Sequence, residues 1–274
     1  MKSLMGVWLR IFYHYLSLFL GPAKSILLFV AAVAFALGPF LVPGFGGFDP
    51  NLYPNPQVDP PVQPAGYAFA IWGPLFLGSA LFALWQALPA QRDNALLGRI
   101  AWPAAIALAA QGVWATYTQF ANLTFVSAII ILVSLGGLLV CLRALSAQPS
   151  LTNGERWFAG LVLSALAAWL TAASIVNISA TLVYHGVGGG FAYPEAAAAM
   201  VGIGGIIAAL AVARSKGNPW YALVFCWALL AIYFRGGQQS SFIAYACIAA
   251  GALVVVATAK CLLSADNRRH WLGF

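Results

Sequence analysis

The order of hydrophobic and polar residues divides most of the chain into long apolar segments that are separated by short polar ones. Eight of these segments are close to the ~20 residues that a helix needs to cross the hydrocarbon of a bilayer. They lie at about 24–43, 66–89, 99–120, 123–145, 156–183, 195–213, 219–235 and 241–263. The segments do not alternate between polar and apolar positions as the strands of an outer-membrane barrel do. The pattern therefore predicts an all-α, polytopic membrane protein with about eight transmembrane helices.

Two of the predicted helices have a recognisable first turn. Asn218 precedes Pro219, which is the order of a capping side chain followed by proline at the first helical position. The run Tyr193-Pro194-Glu195 similarly places a proline and an acid in a first turn. These signals predict helix starts near residues 194 and 219.

Basic residues occur almost entirely in alternate loops of this map. If the N-terminus and every second loop face the cytoplasm, the other side receives only Arg235, together with Asp49, Asp59 and Glu195. Loops rich in lysine and arginine stay in the cytoplasm, so both termini are predicted to lie there. The cytoplasmic side then holds twelve basic residues: Lys2, Arg10, Lys24, Arg92, Arg99, Arg143, Arg156, Arg214, Lys216, Lys260, Arg268 and Arg269.

Composition agrees with a membrane protein and argues against other classes. Hydrophobic residues make up 62% of the chain and charged residues 7%, whereas soluble proteins have about 25% charged residues. The net charge of +7 is explained by the loops that orient the protein, so no nucleic-acid partner is predicted. The four cysteines lie in apolar runs and predict free thiols rather than disulfides.

The sequence offers little for catalysis. No cluster of histidine, cysteine and carboxylate residues has the spacing of metal ligands, and no acid lies deep inside a predicted span. We therefore predict that the protein is not an enzyme and has no metal site.

Two segments outside the spans have competing interpretations. Residues 1–23 mix aromatic and basic residues as an interfacial helix does, while Ala34-Phe35-Ala36 resembles the cleavage site of a signal peptide. The first outer loop, residues 43–67, is rich in proline and glycine but also carries several aromatic residues. It is either a structured lid over the outer face or an inert spacer.

The predicted fifth span carries an unusual number of polar residues. At helical spacing Ser174, Asn177 and Thr181 share one face, and Trp169 and Ala173 border it. Polar side chains inside a membrane face protein or water, because leaving them unpaired in hydrocarbon is costly. These side chains either hydrogen-bond neighbouring helices or line a cavity.

Three motifs, one in each of three predicted spans, carry a family resemblance. In the fifth span Trp169, Ala173 and Asn177 are spaced four residues apart, and the third span has Gln111-Gly-Val-Trp114. The second span opens with "PAGYAF" at residues 64–69, followed by Trp72.

In these motifs the chain resembles the TspO/MBR family, the tryptophan-rich sensory proteins related to the mitochondrial translocator protein. That family has Asn where Gln111 stands, "PPGW" where this chain has "PAGY", and its next tryptophan one residue later than Trp72. The resemblance covers residues 24–185 and implies a five-helix bundle, to which residues 186–274 add three transmembrane helices and a tail.

The resemblance implies a ligand pocket inside the bundle, closed by the first loop. In the family such a pocket accepts flat hydrophobic molecules: porphyrins, haem-pathway intermediates and, in mitochondrial relatives, sterols. The resemblance thus implies a sensor or regulator that binds a porphyrin, another tetrapyrrole or a lipid-like molecule, with no cofactor that is certain. The implied ligand-binding residues are Tyr67, Phe69, Trp72, Gln111, Trp114, Trp169, Ala173 and Asn177.

Two other functions stay open at this point. Eight spans and an aromatic cavity would also suit a transporter of small hydrophobic molecules, although no pair of broken helices or buried coupling acid supports one. The extra helices would equally suit an auxiliary subunit of a larger membrane complex, such as a photosynthetic one, or a homo-oligomer. In each case we expect an integral protein of a bacterial inner membrane.

Overall fold

A computed structural model of the chain describes residues 60–186 and 193–274, apart from the side chains of residues 119 and 120. The predicted interfacial segment 1–23, the predicted first span and residues 43–59 of the outer loop lie outside the described residues.

Seven long helices and one short one make up the described part of the chain. The long ones are α1 (Trp72–Ala87), α2 (Ala95–Ala121), α3 (Phe125–Ser146), α4 (Val162–Tyr184), α5 (Pro194–Arg214), α6 (Pro219–Gln239) and α7 (Ser241–Leu262), and the short one is α8 (Ala265–Leu272). A 3-10 helix (Gly66–Ile71) leads into α1, and a π-helical stretch (Glu155–Leu161) leads into α4. With these extensions, all seven long helices are long and apolar enough to cross a membrane. The predicted all-α, polytopic fold is confirmed, and seven predicted spans match to within about one helical turn.

The helix starts follow from local capping. Asn218 accepts hydrogen bonds from the backbone N–H groups of Trp220 and Tyr221, and Pro194 is the first residue of α5, as predicted. Thr152 and Glu155 form a reciprocal capping box before α4, in which Glu155 Oε2 accepts from Thr152 N at 2.9 Å. These bonds satisfy donors that would otherwise be exposed at the helix ends.

Helix α4 lies at the centre of the bundle. In its most apolar window 72% of the residues are buried, compared with 22% for α7 at the periphery. Small residues allow neighbouring helices to approach closely: a side chain at Gly205 of α5 would collide with Ala250 of α7. A central α4 places its polar face inside the protein rather than against lipid.

The basic loops meet at one end of the bundle. Lys216 Nζ donates to the Gln148 carbonyl at 2.8 Å, which joins the α5–α6 loop to the α3–α4 loop. Arg156 Nε donates to the His270 carbonyl at 3.1 Å, and Trp271 Nε1 to the Ser215 carbonyl at 2.8 Å. Helix α8, which was predicted to be part of a tail, is therefore docked across this basic end. The assignment of this end to the cytoplasm stays a prediction.

Candidate functional site

A cavity of about 50 Å³ lies in the half of the bundle that is opposite the basic loops. Its walls come from α1, α2 and α4 and from two further elements, α6 and the segment that precedes α1. The lining residues are Gln63, Pro64, Phe69, Trp72, Trp114, Leu123, Trp169, Ala172, Ala173, Val176, Asn177, Ala228 and Ile232. These side chains are mainly apolar, and none of them titrates, so the cavity is suited to binding a neutral hydrophobic group rather than to proton transfer.

One wall is built from aromatic rings that meet edge to face. The ring of Trp169 lies 5.8 Å from Trp72 and 6.0 Å from Phe69, at interplanar angles of 86° and 89°. Trp72 in turn stacks on Phe76 at 5.5 Å. Edge-to-face contacts of this kind are favourable and hold the rings in place. The position of Trp169 on the buried α4 thus fixes the orientation of its aromatic neighbours.

The polar side chains of α4 divide between helix contacts and the cavity. Thr171 accepts a hydrogen bond from the Tyr221 hydroxyl at 2.8 Å, and Thr181 Oγ1 donates to the Thr124 carbonyl at 3.1 Å. Asn177 lines the cavity, while one end of its amide lies 3.1 Å from Ser127 Oγ on α3. Ser174 is buried, and its hydroxyl has no hydrogen-bond partner among the described residues. On this polar face Thr181 thus contacts a neighbouring helix, and Asn177 both contacts a neighbouring helix and lines the cavity.

Residues 60–71, which we call the lid segment, form one side of the cavity and dock on α6. The Ala65 N–H donates to the Ala231 carbonyl at 3.0 Å, and Trp227 Nε1 donates to the Ala68 carbonyl at 3.3 Å. Pro61 passes so close to α6 that its carbonyl oxygen occupies the space of a side chain at Gly236. This part of the first outer loop is thus structured, and it packs on a helix far away in sequence.

The eight predicted site residues are not all at the cavity. Six of them line it: Phe69, Trp72, Trp114, Trp169, Ala173 and Asn177. Tyr67 points elsewhere, since it is 45% exposed and makes an edge-to-face contact with Trp227 at 5.5 Å. Gln111 is fully buried one turn below Trp114 and is absent from the lining, and neither end of its amide has a partner among the described residues. Binding of a ligand by any of the eight stays a prediction.

Sequence reasoning missed seven lining residues. Ala172 and Val176 neighbour the motif on α4, Gln63 and Pro64 belong to the lid segment, and Leu123 follows α2. Ala228 and Ile232 come from α6, which lies outside the predicted five-helix segment. The available signal was Trp227, an interior tryptophan adjacent to Ala228, but small aliphatic residues on a membrane helix do not reveal which neighbour they face.

The size of the cavity limits what fits without movement. A volume of about 50 Å³ is well below the about 150 Å³ of engineered cavities that bind benzene. A flat ring system therefore requires side chains or the lid segment to move. Among residues 60–186 and 193–274, no group of three or more histidine, cysteine or acidic residues could hold a metal ion.

Comparison with known proteins gives one family match. A family model described as TSPO-like protein matches residues 55–260, about three quarters of the chain. The match includes the lid segment and runs across all seven long helices, through nearly the whole of α7. No curated protein and no solved structure matches the chain.

Proposed function

Because the chain belongs to the TSPO-like protein family, we propose that it is an integral membrane protein that binds a planar hydrophobic molecule, such as a porphyrin or another tetrapyrrole. Through this binding it would regulate cellular processes that involve the bound molecule. The observation that carries the proposal is the cavity walled by Trp72, Trp114 and Trp169, with the amide of Asn177 at one side. A bacterial inner membrane is the proposed location.

The physical properties of the cavity support a flat apolar ligand. Indole rings provide large, rigid contact surfaces, and burying an apolar ring against them contributes a few kcal/mol at about 25 cal/mol per Å². Polar groups in such a site fix orientation more than they add affinity. Asn177 supplies such a group at a defined position, because its other contacts tie it to α3.

A tetrapyrrole requires the cavity to enlarge. The lid segment is the element best suited to move, because it contributes Gln63, Pro64 and Phe69 to the lining and is held on α6 by the few contacts described above. Displacing it would open the cavity on the side opposite the basic loops.

Two substitutions test the proposal. Ala173→Leu adds three carbon atoms to a cavity of about 50 Å³ and should abolish binding by occupying the space. Trp114→Ala removes a wall and should weaken binding by about tenfold or more, equivalent to about 1.4 kcal/mol. Affinity is measured by titrating protoporphyrin into the protein in nanodiscs and following the quenching of tryptophan fluorescence.

Matched controls separate loss of binding from loss of folding. Ala252→Leu and Trp102→Ala make the same chemical changes at exposed positions on α7 and α2 and should leave the affinity unchanged. Size-exclusion chromatography checks that each variant remains folded. Unchanged affinity in both cavity variants would refute the proposed binding site.

A further inference from the structure

The lid segment crosses α6 beside a basic residue, Arg235. The Pro61 carbonyl of the lid segment lies against Gly236, and the Ala65 N–H donates to the Ala231 carbonyl at 3.0 Å. Arg235 lies between these two points of α6 and is adjacent to Gly236 in the chain. The lid residues between the same two points include two that line the cavity. Arg235 is therefore next to the cavity wall that the lid segment provides.

The helical repeat also places Arg235 on the cavity side of α6. Ala228 and Ile232 line the cavity, and Arg235 continues their row along one face of the helix, at a spacing of four and then three residues. From Ile232 to Arg235 the helix rises about 4.5 Å, a distance that an extended arginine side chain spans. Arg235 is partly buried rather than exposed. Its guanidinium group is thus within reach of the edge of the cavity.

Arg235 is the one lysine or arginine that the structure describes at this end of the bundle; the others it describes lie near the basic end. The cavity lining is uncharged, and apart from tryptophan N–H groups its polar side chains are the amides of Gln63 and Asn177. Charged residues on membrane helices are costly and often mark ligand sites. Arginine binds a carboxylate through two parallel N–H···O bonds. Arg235 already has another interaction, and its five N–H donors allow a carboxylate to bind as well.

We propose that Arg235 binds an acidic group at the edge of the ligand, so that the site selects planar apolar molecules with a carboxylate over neutral ones of the same shape. This proposal rests on the proposed function, since it specifies the ligand class for the same cavity. The apolar ring system lies against the tryptophans, and the carboxylate lies at the edge of the cavity beside the lid segment. An arginine that only reached lipid headgroups would give no such selection.

The test compares two ligands that share a ring system and differ in charge. Mesoporphyrin has two carboxylates, and in its dimethyl ester both are neutral. Each is titrated into the protein in phosphatidylcholine nanodiscs and followed by the quenching of tryptophan fluorescence, with empty nanodiscs as the control for partition into lipid. The ratio of the two dissociation constants is then compared between variants, so that partition cancels. Arg235→Gln should weaken binding of the acid by at least about fivefold and binding of the ester by less than about twofold.

Two further variants assign the effect to the charge at this position. Arg235→Lys keeps the charge and should retain part of the preference, and Arg143→Gln, at an exposed position of the basic end, should leave both affinities unchanged. Unchanged binding of the acid by Arg235→Gln, an equal loss of both ligands, or an Arg235→Lys variant that behaves like Arg235→Gln would each overturn the inference and leave the proposed function standing. Binding of neither porphyrin by the unmodified protein above the level of empty nanodiscs would overturn both.

Discussion

Gly236 of α6 decides whether the lid segment can dock. A Cβ atom at this position would collide with the carbonyl oxygen of Pro61, which is backbone and cannot rotate away. We therefore expect Gly236→Ala to push the lid segment off α6. Because the lid segment provides part of the cavity wall, this substitution should also open the cavity.

The contacts that would be lost between the lid segment and α6 determine how much docking weakens. Displacement breaks the hydrogen bond from Ala65 to Ala231 and the one from Trp227 to Ala68. At about 0.5–1.5 kcal/mol for each bond, docking weakens by about 1–3 kcal/mol, or roughly 5- to 150-fold in the docking equilibrium. Alanine favours a helix over glycine by about 1 kcal/mol, so the overall thermal stability should change much less than the docking.

Cysteine labelling measures the docking directly. Val62 is fully buried in the lid segment, so a Val62→Cys thiol should react with a maleimide only when the segment leaves α6. Gly236→Ala should raise its labelling rate in proportion to the weakened docking, after subtraction of the rate of the native cysteines in a protein that retains Val62. Gly202→Ala is the control, because nothing lies within 4 Å of an added Cβ there. An unchanged labelling rate in Gly236→Ala would refute the steric argument.

Two further predictions concern the basic end and the topology. The pKa of His270 is lowered from 6.5 to about 4, mainly by burial and further by the positive charges of Lys216 and Arg156. The unfolded chain therefore binds a proton at His270 more readily than the folded protein does. The free energy of unfolding should be constant above about pH 6.5 and fall by up to about 3 kcal/mol as the pH drops towards 4. Thermal unfolding measured over this pH range gives the pH dependence of stability. His270→Gln should flatten that dependence, whereas His185→Gln, at an exposed position, should leave it unchanged. An unchanged pH dependence in His270→Gln would contradict the assignment of the effect to His270. Reporters active on one side of the membrane, fused after Phe274 and within residues 46–60, should give opposite results, and the same result at both places would exclude the eight-span topology.

The elements that could be predicted from the sequence depend on interactions over short distances along the chain. A span requires only an apolar segment of sufficient length, and a helix start only a capping residue such as Asn218 followed by proline. The grouping of Trp169, Ala173 and Asn177 on one cavity wall follows from the helical repeat, which the structure retains. These features are determined by the local sequence because the bilayer imposes helices on any long apolar segment.

The composition of the cavity was decided by tertiary packing. Gln111 and Trp114 lie one turn apart on α2, yet only Trp114 reaches the cavity. Similarly, Phe69 lines the cavity, whereas Tyr67, two residues earlier, turns outward to the ring of Trp227. Ala228 and Ile232 join the lining because the lid segment and α4 both pack on α6. In a membrane both lipid and protein are apolar, so hydrophobicity does not indicate which face of a helix meets which neighbour. That choice depends on close fits such as Pro61 against Gly236 and on hydrogen bonds between residues far apart in the chain, and these exist only once the helices are assembled.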